Sequence, residues 1–204
     1  MIEKNSLIHL YNQGNNRNQI FFTRENYLYF LKKIRQYLFP VCEILAYCLM
    51  PNHFHFLIYT TIKSEGLKKY GEREVNILSD NLRIMLSSYT RAINKQQNKS
   101  GSLFRQNTKM KDLSKIGGSK ISSPNSLGYD FYCFFYIHQN PLIAGLVNEL
   151  EDWEFSSYPD YIGLRNGTLV NKELVFEILD IEKEDIKRIS TFLVEENVGR
   201  IFEG

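Results

Sequence analysis

The apolar positions of this chain fall into short strand-like runs and longer helical spacings. Residues 5 to 12 (NSLIHLYN) read as a strand, which the polar run QGNNRNQ ends in a turn. From about Arg24 to Phe39 the rhythm is helical: Tyr27, Phe30, Leu31, Ile34 and Leu38 share a face, Thr23 is a suitable N-cap, and Pro40 stops the pattern. Two strands follow, Cys42 to Leu49 and His53 to Thr60. Between them Met50-Pro51-Asn52 predicts a hairpin turn, because Pro51 presets φ and Asn52 tolerates tight geometry. After the polar connection KSEGLKKYGERE, Leu78, Leu82, Met85, Tyr89 and Ile93 mark a second helix from about Glu74 to Gln97. Gly101 to Lys111 reads as a short closing strand. The order strand, helix, strand, strand, helix, strand is the split βαβ, ferredoxin-like arrangement: an α+β fold with an antiparallel sheet and both helices on one face.

Two further pieces lie outside that frame. DFYCFFYIHQNPLIAGLV, residues 130 to 147, predicts a third helix with the apolar stripe Phe131, Phe134, Phe135, Leu142 and Leu146. Tyr132, Tyr136 and Asn140 fall four residues apart on a neighbouring face, and Pro141 disfavours helical geometry at Asn140, which is a place for a kink. The Gly/Ser-rich stretch 112–130 has the composition of a flexible tether. From Asn171 the chain reads as two short amphipathic helices, carrying Val175, Ile178 and Leu179, then Ile186, Ile189 and Leu193. The expected division is a main domain over 1–163 and an acidic helical tail over 164–204.

At 204 residues and 43% apolar, the chain can bury one sizeable core. Its three cysteines, Cys42, Cys48 and Cys133, sit in apolar segments without a C-x-x-C pair, which points to a reducing compartment and away from a cysteine zinc site. No apolar stretch suits a signal peptide or reaches the ~18 residues of a membrane span, so a soluble, cytoplasmic protein without a membrane partner is expected. The net charge of +2 conceals an asymmetry. Between Leu82 and Lys111 every charged residue is basic, whereas beyond Val147 acids outnumber bases. Such a layout fits a surface that meets a polyanion, although a basic run is more often the solvated face of a helix.

The chain has four histidines, and two stand one residue apart in LMPNHFHFLI. Strand alternation puts His53 and His55 on one face and Phe54, Phe56 and Ile58 on the other, beneath the helices. Two imidazoles about 7 Å apart along a strand can reach one metal ion. An H-x-H on a strand is more often a pair of surface or core-edge histidines, so a third ligand must converge on it. Asn140, one helical turn from Tyr136, is a candidate. A tyrosine with a pKa of about 10 is a poor nucleophile, yet it can attack a phosphodiester polarised by a divalent metal. Tyr132 is its rival. His9 and His138 have no partner at ligand spacing and are expected to be structural.

The motifs QGNNRNQIFF, YCLMPNHFHFLI, SSYTRAINKQQNKSGSLFRQ, YIHQNPLIAGLV and DWEFSSYPDYIG, in this order from about Ser6 to Gly163, resemble the REP-associated tyrosine transposases. These are a branch of the single-tyrosine HUH transposases, named for His-hydrophobic-His. The resemblance implies that His53 and His55 bind Mg²⁺ or Mn²⁺, that Tyr136 rather than Tyr132 is the nucleophile, and that Asn140 is the third ligand. It implies cleavage of single-stranded DNA beside a hairpin through a 5′-phosphotyrosine and a free 3′-OH that later rejoins strands. Arg83, Arg91, Lys95, Arg105, Lys109 and Lys111 become candidates for phosphate contacts along a hairpin stem, and Arg17, beside Asn15 and Asn16, for a further DNA contact. Related enzymes exchange the tyrosine helix within dimers, so the tether allows a homodimer as well as docking in cis. The sequence departs from the family pattern at 112–130 and in the acidic tail. If those departures abolish catalysis, the alternative is a non-catalytic DNA-hairpin regulator; a water-using phosphodiesterase is a third reading.

Overall fold

The structure is a computed structural model that describes residues 2–115 and 128–195. Four strands, β1 (Leu7–Gln13), β2 (Cys42–Met50), β3 (His53–Thr60) and β6 (Lys109–Asp112), form one sheet in the order β2-β3-β1-β6, each pair antiparallel. This is the ferredoxin-like order, with β3 inserted between β1 and β2. Helices α1 (Arg24–Tyr37) and α3 (Ile77–Gln96) cover one face. There Phe30, Phe54, Tyr89 and Phe104 pack ring against ring, with Phe30 5.4 Å from Phe54 and 4.8 Å from Tyr89. Thr23 caps α1 through a reciprocal capping box with Asn26.

The connection before α3 is ordered. It folds into a single helical turn, α2 (Ile62–Glu65), and a hairpin of β4 (Leu67–Tyr70) and β5 (Arg73–Asn76). Gly71, at φ +62°, supplies the left-handed residue that a type II′ turn needs at its first central position. Helix α3 therefore starts at Ile77 rather than Glu74, capped by Asn76. The closing strand is also shorter than Gly101 to Lys111. Residues 101–108 meet the sheet at an isolated bridge between Gly14 and Phe104, and regular pairing begins at Lys109.

The opposite face is covered by α4 (Tyr129–Ile143), which crosses β2 and β3. From Asp130 to Pro141 nearly all of its residues are buried, because a second layer lies behind it. That layer comprises α5 (Tyr158–Tyr161), α6 (Lys172–Leu179) and α7 (Asp185–Glu195). Phe134 meets Tyr161, and His138 meets Tyr158 and Tyr161. Val175, Leu179, Ile186 and Leu193 join the same core. Residues 153–171 seal the outer edge of β2: Leu49 N–H donates to Phe155 O at 2.9 Å, Ser157 N–H to Tyr47 O at 2.9 Å, and Asn171 N–H to Ile44 O at 2.9 Å. Buried Asp160 and the Arg165 guanidinium clasp that segment shut. Of the expected tether, residues 116–127 lie outside the described residues. All three cysteines are free and buried. Among the described residues no helix is long and apolar enough to cross a membrane.

Candidate active site

The antiparallel register decides which side chains share the α4 side of the sheet. Tyr11 stands opposite His55, Gln13 opposite His53, His9 opposite Lys111 and Tyr11 opposite Lys109. Residues directly opposite point to the same face, so His9, Tyr11, His53, His55, Lys109 and Lys111 converge. Together with Arg17, Arg105, Tyr129 and Tyr136 they line a cavity of about 670 Å³. The face carrying the two histidines is thus roofed by α4, where the ferredoxin-like order alone, with both its helices on the other face, would leave it open.

Helix α4 brings Tyr136 over the histidines, its ring edge-on to His55 at 5.6 Å and to His9 at 6.4 Å between centroids. Tyr132, one turn earlier, instead lines a separate cavity of about 330 Å³ with Ile181, Asp185 and Leu193. Geometry therefore separates two tyrosines that spacing alone leaves equal. Asn140 lies a turn beyond Tyr136, and Pro141 explains its conformation. Proline has no N–H to give the Ile137 carbonyl, and the Asn140 side chain turns back on the helix, donating from Nδ2 to Tyr136 O at 2.8 Å and approaching Ile137 O at 3.5 Å. The helix continues through Pro141 to Ile143. The same amide lies beside His53, and with Nδ2 committed its Oδ1 remains free to accept.

Each imidazole has one nitrogen engaged. His53 Nδ1 lies 2.6 Å from Asn52 Oδ1, and an amide oxygen can only accept, so Nδ1 carries the proton and Nε2 keeps its lone pair. Asn52 in turn donates from Nδ2 to Arg17 O at 3.3 Å, and its own carbonyl receives Gly14 N–H at 2.8 Å. The QGNNR turn and the MPN turn thus meet at the side chain that orients His53. A side chain at Gly14 would meet Asn18 O at 2.1 Å, so only glycine lets the QGNNRN turn fold back on itself. His55 Nδ1 lies 2.9 Å from His9 Nε2. Burial pushes the His55 pKa well below its usual value, with the neighbouring His9 and His53 adding to the effect. His53 is also lowered by burial, while Asn140 works the other way. His9 is pushed down to about 3, first by burial and then by Lys111. All three are neutral imidazoles near pH 7.

His9, expected to be structural, therefore touches the centre of the site. Only the register of β1 against β3 makes the contact, and one sequence does not reveal a register. His138 is buried away from the cavity, with Nε2 2.7 Å from Ser157 Oγ. Among the described residues no three His, Cys, Asp or Glu side chains are grouped to hold a metal ion. His53 and His55 line the cavity and Asn140 lies beside His53 without lining it, so a cation would take His53 Nε2, His55 and the Asn140 amide oxygen at the inner wall beneath α4. The donor set fits a divalent ion: two neutral imidazoles, one with its lone pair set by a partner, and an amide oxygen whose nitrogen is tied down.

The basic stretch divides. Along β6, Lys109 and Lys111 point toward the histidine cavity, and Lys111 Nζ bonds Tyr129 Oη at 2.8 Å. Met110, between them, faces a groove of about 670 Å³ beside α3, lined also by Arg83 and Arg91. Arg105 lines both. Arg83 is paired with buried Asp80 at 2.7 Å, and Lys95 lines neither cavity.

By fold, the chain is similar to a solved structure of a REP-associated tyrosine transposase bound to a REP hairpin, with a TM-score of 0.50 and 19% identity, covering 83% of this chain and 90% of that one. The fold is that of the transposase. No protein-family model and no curated protein matches the sequence. The similarity extends to the α+β layout and the antiparallel sheet on which the histidine cavity is built.

Proposed function

We propose that this protein is a cytoplasmic, single-stranded DNA nickase and strand transferase of the tyrosine HUH transposase type, acting beside DNA hairpins. The observation that carries the reading is the convergence of Tyr136 from α4 on His55 and His53 from β3, in a cavity with a cationic rim. A binder of DNA needs basic residues but not this buried constellation of phenol, imidazoles and amide. His53, His55 and Asn140 would hold Mg²⁺ or Mn²⁺, which when bound polarises a phosphodiester and offsets charge at its oxygens.

The chain's own residues supply the rest. Lys109, Lys111, Arg105 and Arg17 draw the DNA backbone to the cavity rim. The Tyr136 hydroxyl attacks phosphorus, a tyrosyl O–P bond forms and the bond to the 3′ oxygen breaks. The phenol proton is balanced by the proton taken up by the leaving 3′ oxygen. The product is a 5′-phosphotyrosine and a free 3′-OH, and reversal with another 3′-OH rejoins strands. Within the described chain α4 docks on its own sheet, which supports action in cis; exchange of α4 in a homodimer would use the same contacts.

The test is to incubate the protein and Tyr136→Phe with single-stranded DNA hairpins carrying varied flanks, with and without Mn²⁺, and look for DNA-linked protein on a denaturing gel. The expected result is a metal-dependent adduct that the variant lacks. Tight binding without any adduct would leave the hairpin regulator in its place, and metal-dependent cleavage without an adduct would indicate water as the nucleophile.

A further inference from the structure

His9 contacts the site but has no part in the chemistry above. It sits diagonally across from His55 on the neighbouring strand, buried, with the two rings 5.1 Å apart and Nε2 2.9 Å from His55 Nδ1. Tyr11 packs on the same pair, 4.7 Å from His9 and 5.6 Å from His55. Of the two His55 nitrogens, Nδ1 is thereby committed to His9, so only Nε2 can serve a ligand in the cavity.

Between two neutral imidazoles the shared hydrogen has two possible placements. If His9 donates, His55 Nδ1 accepts, and Nε2 must carry the other ring proton, which blocks it as a ligand. If His55 donates from Nδ1, Nε2 keeps its lone pair. His53 is already held in the equivalent form by the Asn52 amide oxygen. The two strand histidines then present matching nitrogens, each backed by one acceptor: an amide for His53 and a third imidazole for His55.

We propose that His9 is a positioning residue that accepts the His55 Nδ1 proton and so fixes the tautomer and ring orientation in which His55 Nε2 binds a divalent cation. The inference rests on reading the cavity as a Mg²⁺ or Mn²⁺ site. Outer partners of metal-bound histidines are usually carboxylates, carbonyls or water, and their loss costs about 10- to 100-fold in metal affinity. Burial and the Lys111 ammonium both disfavour a charged His9, so its imidazole stays neutral and keeps a lone pair with which to accept.

Two variants and one spectrum test this. His9→Phe keeps ring bulk against Tyr11 and Tyr136 but has no acceptor. His9→Gln places an amide oxygen close to the former Nε2. Mn²⁺ affinity, measured by calorimetry on the DNA-free protein, is expected to fall about 10- to 100-fold in His9→Phe and to recover most of that loss in His9→Gln. Equal Mn²⁺ affinity in wild type and folded His9→Phe, with folding checked by near-UV circular dichroism, would overturn the proposal. So would equal losses in both folded variants. Nitrogen-15 spectra of metal-free wild type are expected to show His55 protonated at Nδ1; protonation at Nε2 would overturn the proposal even if neither variant folds. If wild type binds no Mn²⁺ while His55 is in the Nδ1–H form, the metal reading fails and the positioning of His55 stands.

Discussion

Asn140 resolves two demands with one amide. Pro141 deprives Ile137 O of its helical donor, and Asn140 Nδ2 turns back toward the carbonyls of Tyr136 and Ile137, while the same amide lies beside His53. A carboxylate would look like the better metal ligand, but it cannot donate and would set negative charge against two carbonyl oxygens. Asn140→Asp is therefore expected to destabilise the protein by about 1–3 kcal/mol in urea unfolding at pH 7, the range for a buried polar contact made unfavourable. Equal stability would mean that the back-bond does not hold α4. A second residue-scale effect appears in alkali. Burial, with Glu43 adding, pushes the Cys42 thiol from 9.0 up to about 12. The unfolded chain then loses this proton first, so stability falls as pH rises through the window between those values. The slope is about 1.4 kcal/mol per pH unit for one group. Cys42→Ala is expected to flatten the decline of melting temperature between pH 9 and 11.

Among the elements, the clasp along the edge of β2 offers the clearest test. Asp160 is buried and accepts from Arg165 Nε at 2.7 Å, from Arg165 Nη2 at 2.8 Å and from Gly167 N–H at 2.9 Å. Arg165 also reaches the carbonyls of Glu154 and Ser156 and the Tyr47 hydroxyl. Removing the carboxylate strands a guanidinium and a backbone donor. Because 35% of the Arg165 side chain is exposed, Asp160→Ala is expected to cost about 2–3 kcal/mol, less than a fully buried pair. The loss should appear in thermal unfolding. The main elements that position the site were legible from spacing. Tyr27, Phe30 and Ile34 marked α1, Leu82, Met85 and Tyr89 marked α3, and the H-x-H strand declared its two faces. The β4–β5 hairpin was not, since its strands are mostly exposed and carry no apolar alternation. Nor was the role of His9, which depends on a pairing register, or that of Asn52, whose amide acts through the fold of two separate turns.

For the whole molecule, the consequence of strand alternation at β6 is that the basic stretch faces two ways. Arg83 and Arg91 border the groove beside α3, Lys109 and Lys111 border the histidine cavity across the sheet, and Arg105 stands between them. A hairpin whose stem lies along α3 would have to send its unpaired strand around the β6 edge, past Arg105, to reach Tyr136. The two sets of cations should then respond differently to the same DNA. Arg91→Ala is expected to weaken binding of a stem-bearing hairpin and to reduce its salt slope by about 1, while leaving binding of an unpaired oligonucleotide unchanged. Lys109→Ala is expected to weaken both, because on the proposed path either strand would enter the cavity that Lys109 borders. Arg105→Ala should weaken the hairpin more than either, since one side chain serves both surfaces. Fluorescence anisotropy of the two DNA forms across a salt series would distinguish this path from a uniform cationic face, on which all three variants would lower affinity for both DNAs in proportion.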